Sequence, residues 1–279
     1  MKKIIVPAYS KLNLCLTVGD YDPQRGLHTV DTLMQTIDLK DVVHLTCRRD
    51  GECTTNLDWG EGVEDNALKA ARLFVDTFGT KGVDIVVDKE IPVGAGLGGS
   101  SADAAAVLVG MSVLYGVDIG ALLPLAAQLG SDVPYMLSRG LARVTGFGDE
   151  VELLPSLPLL YALVVVPVER VSTAEAYEGY DAVGKKPNPV NAEEILSLLR
   201  AERNTKLYPN NNLYQTCSTR CPAIAAAVKA LTDLRSLHIA MTGSGSAVYA
   251  LYNRLDYAEQ KRDALLAEGY DVRLCRLID

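Results

Sequence analysis

The residues most capable of chemistry lie in a glycine-rich stretch near the middle of the chain. Gly94, Gly96, Gly98 and Gly99 fall within six consecutive positions and run into two serines and an alanine-rich segment. Glycine lets the backbone adopt positive φ and approach a ligand closely, because no Cβ intervenes. The start of the following helix leaves backbone N–H groups without intrahelical partners at the positive end of the helix dipole. Such a loop suits an anion, most often a phosphate; the alternative is a plain connection to a packed helix.

Three known kinds of phosphate loop can be compared with this stretch. A Walker A loop needs a lysine immediately before its serine or threonine, and Gly99 stands there. A protein-kinase loop requires a valine at position 101 and later H-R-D and D-F-G motifs, none of which the sequence has. The dinucleotide fingerprint G-x-G-x-x-G is matched literally, but residues 88–92 separate the predicted strand Val83–Val87 from the glycines. A nicotinamide-dependent dehydrogenase therefore stays open, with Asp118 as its candidate ribose contact.

Lys11 and Asn13 are polar residues on one face of a predicted strand. From residue 11 to residue 18 the sequence alternates, with three leucines on one face and Lys11, Asn13 and Cys15 on the other. The pattern alone favours a solvated face of an antiparallel strand for the polar side.

Two short loops of small residues are further candidates. Asp132 stands in a predicted tight loop, Gly130–Pro134, where turn chemistry alone would permit an aspartate. Thr242–Ser246 lies between two predicted strands, and its spacing is that of a hairpin turn. Alternatively, this second loop meets the first glycine-rich stretch and both close around one ligand.

Composition limits the classes of function. The 279 residues are 48% hydrophobic and 22% charged, which predicts a chain folded throughout, in two domains that meet near Pro155–Pro158. The net charge is −8 with dispersed basic residues, so neither a nucleic acid nor an anionic membrane is expected as a partner. The six scattered cysteines lack a C-x-x-C pair and are expected to be free thiols rather than metal ligands. Short apolar runs predict a cytoplasmic protein without a signal peptide or membrane span.

Periodicity predicts the elements that must position these residues. A long strand-like segment, Thr29–Arg48, is broken by polar residues, and loops are expected at Gly19–Gly26, Glu61–Asp65 and Lys185–Pro189. A capping box predicts a helix that starts after Ser172, because Glu175 stands three residues on. Helices are predicted at Asn66–Phe78, Ser100–Tyr115, Ile119–Leu129, Ala192–Ala201, Asn212–Cys217, Pro222–Leu231 and Asp256–Glu268. Strands are predicted at Leu141–Thr145, Val151–Leu154, Leu159–Val166, His238–Met241, Ala247–Leu251 and Asp271–Leu277, which together indicate an α+β fold.

Three separated motifs coincide with one family. They are Ser10-Lys11-Leu12-Asn13-Leu14, Pro92 to Ser101, and Thr242-Gly243-Ser244-Gly245. In this order they resemble the signature motifs of the GHMP kinases, small-molecule kinases with their own fold. The likeness extends over nearly the whole chain. It implies an α+β, two-domain GHMP kinase fold, with an N-terminal ATP-binding domain (1–155), a C-terminal α/β sandwich domain (156–279) and the active site in the cleft between them.

The resemblance implies transfer of the ATP γ-phosphoryl group to an alcohol without a covalent enzyme intermediate. Asp132 would be the general base and Lys11 its electrostatic partner, since a carboxylate takes the alcohol proton and an ammonium steadies the developing alkoxide. The glycine-rich loop would hold the triphosphate, Ser101 would be available to Mg²⁺, and Asn66 would lie near the nucleoside. The implied ATP site comprises Asn66, Pro92, Gly94, Ala95, Gly96, Leu97, Gly98, Gly99, Ser100 and Ser101. Ser100 is a departure, because the family commonly has glycine there.

Within the family, the resemblance implies a cytidine diphosphate-linked methylerythritol as the second substrate, phosphorylated on its 2-hydroxyl group. His28 and Tyr177 match two of the three residues that hold the cytosine. The third is Leu27 instead of an aromatic residue, so one face of the base would meet an aliphatic side chain. The implied substrate contacts are Asn13, Leu27, His28, Asp132, Thr173, Tyr177, Gly243 and Ser244.

Two alternatives within this fold stay open. Because Leu27 departs from the family pattern, the acceptor could be another small alcohol, homoserine-like or mevalonate-like. A catalytically silent nucleotide-binding regulator is the other, although Lys11, Asp132 and Ser101 are all retained. For the kinase, ATP, Mg²⁺ and a small-molecule substrate are the expected ligands, and the protein is expected to be a monomer or a homodimer.

Overall fold

The structure, a computed structural model, describes residues 2–58, 65–184, 186–205 and 210–279. Its contacts divide the chain into two compact units. Unit 1 comprises Met1–Ser10, Leu39–Val93 and Gly98–Arg139; unit 2 comprises Lys11–Asp38, Gly94–Leu97 and Gly140–Asp279. Both units are discontinuous in sequence, and the predicted division between residues 155 and 156 falls within unit 2. That division stays a prediction.

Two long strands belong partly to each unit. They are β1, Lys3–Asp22, and β2, Leu27–Cys47, and they pair with each other. The turn between them ends at Gly26, whose φ of +66° is readily adopted only by glycine. The prediction of a loop over Gly19–Gly26 is therefore wrong in its first part, because pairing carries β1 on to Asp22. Pairing likewise keeps β2 continuous through Asp38 and Asp41, where polar residues suggested breaks.

Unit 1 contains helices and a short set of strands. Its elements are β3 (Thr54–Thr55), α1 (Asn66–Phe78), β4 (Val83–Asp88), α2 (Gly99–Tyr115), a 3₁₀ helix (Ile119–Leu122), α3 (Leu123–Leu129) and α4 (Val133–Ser138). Strand β4 pairs with β2 antiparallel and with β3 parallel. Helix α1 begins where the Asp65 side chain accepts a hydrogen bond from Leu68 N, at 2.8 Å. Helix α2 is buried almost all round, as its apolar sequence predicted.

Unit 2 contains a four-stranded sheet and the remaining helices. Its elements are β5 (Leu141–Thr145), β6 (Glu150–Leu153), β7 (Tyr161–Val165), α5 (Thr173–Ala182), α6 (Ala192–Arg200), α7 (Tyr214–Arg220), α8 (Pro222–Leu231), β8 (His238–Met241), β9 (Val248–Tyr252), α9 (Leu255–Ala267) and β10 (Val272–Arg276). The sheet has the antiparallel order β10-β7-β9-β8. Strand β2 also pairs with β5, and β5 with β6. The capping box of Ser172 and Glu175 is confirmed at the start of α5.

The other differences from prediction are local. Helix α4 begins at Val133, so the last two residues of the predicted loop Gly130–Pro134 are helical. Pro134 lies in the first turn of the helix, a position that tolerates proline. The predicted helix Ile119–Leu129 divides into a 3₁₀ turn and α3. Residues 61–64 and Lys185, which belong to predicted loops, lie outside the described residues. No helix in the described part of the chain has the length and apolar character needed to cross a bilayer. All six cysteines are free thiols, as predicted.

Candidate active site

Asn13 is the centre of a buried polar network in unit 2. Its side-chain oxygen accepts hydrogen bonds from Lys11 Nζ at 2.5 Å, from Gly243 N at 2.8 Å and from Thr242 Oγ1 at 3.3 Å. Its amide nitrogen donates to Thr32 Oγ1 at 2.8 Å. The side chain is therefore fixed in one orientation, with its carbonyl end toward Lys11.

Lys11 and Asn13 are each only 2% exposed. The prediction that their face of β1 meets solvent is therefore wrong, although the two side chains do share a face and are hydrogen-bonded. Alternation identifies a face of a strand but not what covers it. A buried ammonium requires polar partners and exerts a stronger field than one in water. The surroundings of Lys11 thus favour an electrostatic role over a solubilising one.

The second small-residue loop joins this network and also contacts the first. Thr242 Oγ1 donates to Gly96 O at 3.1 Å, and the backbone of Ala247 donates to Ala95 O at 3.1 Å. Lys11 N donates to Leu97 O at 3.1 Å. The alternative that the two loops meet is therefore confirmed for the part of the glycine-rich stretch in unit 2. The segment Thr242–Ser246 is also the connection between antiparallel β8 and β9, so the hairpin interpretation holds as well. We call Lys11, Asn13, Gly96, Thr242 and Gly243 the Asn13 network.

Close packing at Gly96 explains why glycine is needed there. Its φ is +76°, and a Cβ at this position would lie 2.2 Å from Thr242 O. A Cβ at Gly243, where φ is +56°, would lie 3.2 Å from Lys11 Nζ. Asn211, on the segment before α7, braces the same loop by donating to Gly243 O at 2.8 Å and Met241 O at 2.9 Å. No role was predicted for Asn211 from the sequence.

The rest of the predicted ATP site lies in unit 1. Gly98 precedes α2 with φ of +74°, and because it has no side chain it cannot cap the first N–H groups of the helix. Ser100 is exposed and Ser101 half-buried in the first turn. Asn66, the first residue of α1, and Pro92 are also half-buried. This end of α2 therefore offers backbone donors and two hydroxyls suited to an anion.

Asp132 also belongs to unit 1, where it immediately precedes α4. It is half-buried, and its backbone oxygen accepts a hydrogen bond from Met136 N at 3.1 Å. The partners Lys11 and Asp132 fall in different units. Their pairing in catalysis stays a prediction.

Three tyrosine rings pack around His28, one of the predicted nucleobase contacts, in unit 2. The ring of His28 stacks with Tyr177 at 5.4 Å and an interplanar angle of 27°. Tyr21 is tilted against His28 at 5.1 Å, and Tyr180 meets it edge-on at 5.9 Å. Leu27, the departure from the family pattern, is 50% exposed. The structure thus brings His28 and Tyr177 together, and adds Tyr21 and Tyr180, which sequence reasoning missed. We call these four aromatic residues the His28 cluster.

His28 is held by two hydrogen-bond acceptors. Nδ1 lies 3.1 Å from Gly19 O, and Nε2 lies 3.1 Å from Asp181 Oδ2. Because a carbonyl and a carboxylate both accept, His28 donates to both only as an imidazolium. Asp181 also accepts from Lys186 at 3.2 Å. Partial burial opposes ionisation of Asp181, but the hydrogen bonds from His28 and Lys186 prevail and lower its pKa.

Thr173 and Ser244 are two of the predicted substrate contacts that the structure brings together. Their hydroxyl oxygens are 2.9 Å apart, one in the first turn of α5 and one in the loop that carries Gly243. Hydroxyls at the start of a helix can donate to an anionic group. This pair therefore links the Gly243 loop to the helix that carries Tyr177.

A charged cluster in unit 1 was also missed. Lys89 lies between the carboxylates of Asp41 and Asp103. Burial raises the pKa of Asp103 to about 7, although its ion pair and hydrogen bond with Lys89 act in the opposite direction. The sequence did contain a signal, because a lone aspartate in an otherwise apolar helix requires a buried partner.

A ready-made metal cage is absent from the described ranges: no group of three or more His, Cys, Asp or Glu side chains could hold a metal ion there. Mg²⁺ commonly binds through one or two protein ligands together with substrate phosphates. A single hydroxyl such as that of Ser101 fits this mode of binding and does not fit a structural metal centre.

Comparison with protein families decides the class of protein. The GHMP kinases N terminal domain model matches residues 65–140, and the GHMP kinases C terminal model matches residues 196–271. The chain belongs to the GHMP kinase family. The predictions of this family, of its fold and of an enzyme are thereby confirmed.

Relatives of this GHMP kinase resemble it over most of their length. A 4-diphosphocytidyl-2-C-methyl-D-erythritol kinase of Moorella thermoacetica is 36% identical, over 90% of each chain. The protein of the same name from Syntrophomonas wolfei is 33% identical over 98% of each chain. A crystal structure of 4-(cytidine 5'-diphospho)-2C-methyl-D-erythritol kinase has a TM-score of 0.85 at 30% identity, covering 99% of this chain and 100% of that one. Homoserine kinase from Cytophaga hutchinsonii, 18% identical with a TM-score of 0.69, shares the fold alone.

Proposed function

We propose that this GHMP kinase transfers the γ-phosphoryl group of ATP to the 2-hydroxyl of 4-diphosphocytidyl-2-C-methyl-D-erythritol. The observation that carries the proposal is the buried Asn13 network, in which all three family motifs meet beside the Lys11 ammonium. Relatives that share 33–36% identity over 90–98% of this chain carry the name of this kinase. The reaction belongs to the non-mevalonate route to isoprenoid precursors.

In the proposed reaction the acceptor oxygen attacks the γ-phosphorus of ATP. Its proton passes to the Asp132 carboxylate, a P–O bond forms to the acceptor, and the bond between the γ-phosphorus and the bridging oxygen breaks, so that ADP leaves. Lys11 stabilises the negative charge that develops on the acceptor oxygen. Asn13 holds the Lys11 ammonium in place, since its side-chain oxygen accepts a 2.5 Å hydrogen bond from Nζ.

The nucleotide binds at the start of α2. The backbone N–H groups of the glycine-rich loop, together with Ser100, contact the triphosphate, and Asn66 lies near the nucleoside. Ser101 would be the protein ligand of Mg²⁺, which when bound with the triphosphate neutralises part of its charge.

The acceptor binds through its cytosine and its diphosphate. His28 and Tyr177 contact the base, with Leu27 covering one face through aliphatic contact. Thr173, Ser244 and Gly243 contact the diphosphate. Leu27, which is half-exposed, is expected to make a weaker apolar contact with the cytosine than a ring would make.

A kinase assay with competing acceptors tests the substrate. ADP formation is measured with 4-diphosphocytidyl-2-C-methyl-D-erythritol, homoserine and mevalonate at equal concentrations. The proposal expects turnover with the cytidine substrate to exceed the others by at least about a hundredfold, because a site built for polar recognition rejects acceptors that lack those groups. Turnover confined to homoserine or mevalonate would reject the substrate and keep the kinase. ATP binding without turnover of any acceptor would favour the silent regulator.

The Asp132→Asn variant tests the base. It is expected to lower kcat by about 10²- to 10⁴-fold with little change in ATP affinity, because the amide cannot accept the proton. Asp118→Asn is the matched control, since Asp118 is exposed and only caps the 3₁₀ turn through Gly120 N. Equal turnover in the Asp132 and Asp118 variants would remove Asp132 from the mechanism.

A further inference from the structure

Lys89 follows β4, just before the glycine-rich stretch, and is held between two carboxylates of unit 1. Its ammonium donates to Asp41 Oδ2, and to Asp103 Oδ2 at 2.7 Å. The side chains of Asp41 and Asp103 are 0% and 3% exposed, and that of Lys89 is 20% exposed. Asp103 Oδ1 is buried without a hydrogen-bond partner in the described part of the chain. Lys89 is therefore the main partner that compensates the buried carboxylate of Asp103.

Asp41 also holds the backbone where the glycine-rich stretch begins. Its other oxygen, Oδ1, accepts hydrogen bonds from Glu90 N at 2.6 Å and Ile91 N at 2.8 Å. Asp41 lies on β2, Lys89 follows β4, and Asp103 lies on α2, one turn after Gly99. The three side chains thus join a strand to both flanks of the stretch.

The two flanks contact each other inside unit 1. A Cβ placed on Gly99 would lie 3.0 Å from Ile91 Cγ2 and 3.5 Å from Lys89 Nζ. Gly99 therefore packs closely against Ile91, and the ammonium of Lys89 lies beside Gly99. A shift of Lys89 is expected to move both flanks.

We propose that Asp41, Lys89 and Asp103, which we call the flank cluster, are positioning residues that fix the two flanks of the glycine-rich stretch so that its N–H groups are arranged for the triphosphate. The inference rests on the proposed use of ATP. It assigns a ligand-ordering role to side chains that the proposed reaction does not use. Preorganised donors bind better because less ordering is required on binding.

The direction of the change in ATP affinity distinguishes this proposal from a simple electrostatic effect. At pH 8, the pH chosen for the titration, Asp103 is ionised and the cluster holds two carboxylates and one ammonium. Removing one carboxylate then makes the neighbourhood of a bound polyanion less negative. Electrostatics alone then predicts tighter ATP binding in Asp103→Asn. Positioning predicts weaker binding, because the neutral amide of this variant cannot make the charged hydrogen bond that holds Lys89 against α2. The two explanations differ in sign.

The experiment measures ATP affinity directly, by isothermal titration of the full chain without an acceptor. Asp103→Asn is expected to raise the Kd for ATP about tenfold. It leaves Lys89 paired with Asp41, so no buried charge loses its counter-ion and folding is expected to persist. Asp76→Asn, at an exposed position of α1 in unit 1, is the matched control and is expected to bind ATP like the wild-type chain. Urea unfolding of each variant verifies that the folded state is intact.

Asp41→Asn is the second variant. Its amide oxygen can still accept from Glu90 N and Ile91 N, but its bond to Lys89 loses the charge, and the same weakening of ATP binding is expected. In steady-state assays both variants should raise the KM for ATP while the KM for the acceptor stays within about twofold. A purely structural defect would instead lower the concentration of active enzyme and leave both KM values unchanged.

The outcomes separate the possible failures. Unchanged or tighter ATP binding in a cooperatively folded Asp103→Asn or Asp41→Asn variant would overturn the role of the flank cluster alone. Wild-type ATP binding with no turnover of the cytidine substrate would overturn the proposed acceptor and leave the cluster testable by titration. If Lys89→Met abolished ATP binding while both aspartate variants bound ATP tighter, Lys89 would be a direct phosphate ligand, and the positioning role would be rejected.

Discussion

The Asn13 network and the His28 cluster both lie in unit 2, but they are built in different ways. Lys11 and Asn13 are 2% exposed, and the oxygen of Asn13 accepts from three donors. In the His28 cluster the contacts are mainly between rings, and Tyr21 and the neighbouring Leu27 are 54% and 50% exposed. The network is therefore expected to admit few substitutions, whereas the position next to the cluster holds Leu27 instead of an aromatic residue.

This contrast corresponds to a division of labour in the proposed reaction. Stabilising a developing charge requires fixed donors in a site of low dielectric, where a small displacement weakens the interaction strongly. Holding a nucleobase requires apolar and aromatic surface, which side chains of several shapes can supply. Damage to the network should therefore appear in kcat or in stability, and damage to the cluster in the KM for the acceptor.

Among substitutions in these two regions, the largest effect is expected for Lys11→Met. The substitution keeps the length of the side chain but removes the ammonium, so kcat should fall by about 10²- to 10³-fold. The KM for the acceptor should change little, because the His28 cluster is intact. Lys229→Met, at an exposed position of α8, is the control and should retain full activity. If the Lys11 variant raised only the acceptor KM, the proposed division between a network that determines kcat and a cluster that determines the acceptor KM would be wrong.

Gly96→Ala tests how tightly the network is packed. The added Cβ would lie 2.2 Å from Thr242 O, so the two loops must separate. Gly94→Ala is a matched control, since Gly94 has a similar φ of +66° but nothing within 4 Å of an added Cβ. The free energy of unfolding in urea should be lower by about 1–3 kcal/mol in Gly96→Ala than in Gly94→Ala. Equal stabilities would show that the contact between the loops relaxes without cost.

The free energy of unfolding at low pH shows whether the buried His238 limits the stability of unit 2 in acid. Burial lowers the pKa of His238, on β8, from 6.5 to about 4. Below pH 6.5 the unfolded chain binds a proton that the folded chain does not, so stability falls as the pH is lowered. Between pH 8 and pH 5 this group should remove about 2 kcal/mol from the free energy of unfolding.

His238→Gln should reduce that loss, as measured by urea unfolding at the two pH values. His44→Gln is the control, because His44 is paired with Asp88 at the surface of unit 1. If the His238 and His44 variants lost stability with pH equally, burial of His238 would not be the cause.

Local signals in the sequence predicted the elements well and the burial of the site poorly. Helix α1 was predicted from the helical spacing of its apolar residues, and helix α5 from the Ser172–Glu175 capping box, both of which are local signals. Strand β1 was predicted too short, since pairing with β2 outweighs the turn preference of Gly19 and Asp20. The reason is that the ladder hydrogen bonds to β2 are not visible in the turn preference of single residues.

The same limit applies to the candidate site. The three motifs contain most of the residues of the candidate site. However, hydrogen bonds between Asn13 and Thr242 join positions 229 apart in the sequence, and no local pattern predicts such a contact. Burial of Lys11 was missed because alternation does not show what covers a face. The flank cluster was missed because its members are polar residues at separate places, connected only by the fold.

Tyr177→Leu tests whether the ring stacked on His28 contributes to binding of the acceptor. Removing the ring that lies 5.4 Å from His28 should raise the KM for the cytidine acceptor about tenfold and leave kcat within about twofold. Tyr257→Leu is the control, because the Tyr257 ring contacts Arg235 and Arg254, not His28. A fall in kcat equal to that of Lys11→Met would remove the distinction between the two regions.

The smallest effect is expected for Leu27→Tyr, which restores an aromatic residue where the family has one. Because Leu27 is 50% exposed, the larger side chain fits without repacking a core, and stability should be unchanged. A second ring beside the base should lower the acceptor KM by about two- to fivefold at constant kcat. Leu27→Met, similar in volume but not aromatic, should leave the KM at its wild-type value. If Leu27→Tyr instead raised the KM, the space beside Leu27 would already be filled by Tyr21, and the cluster would be less tolerant than the exposure of its residues suggests.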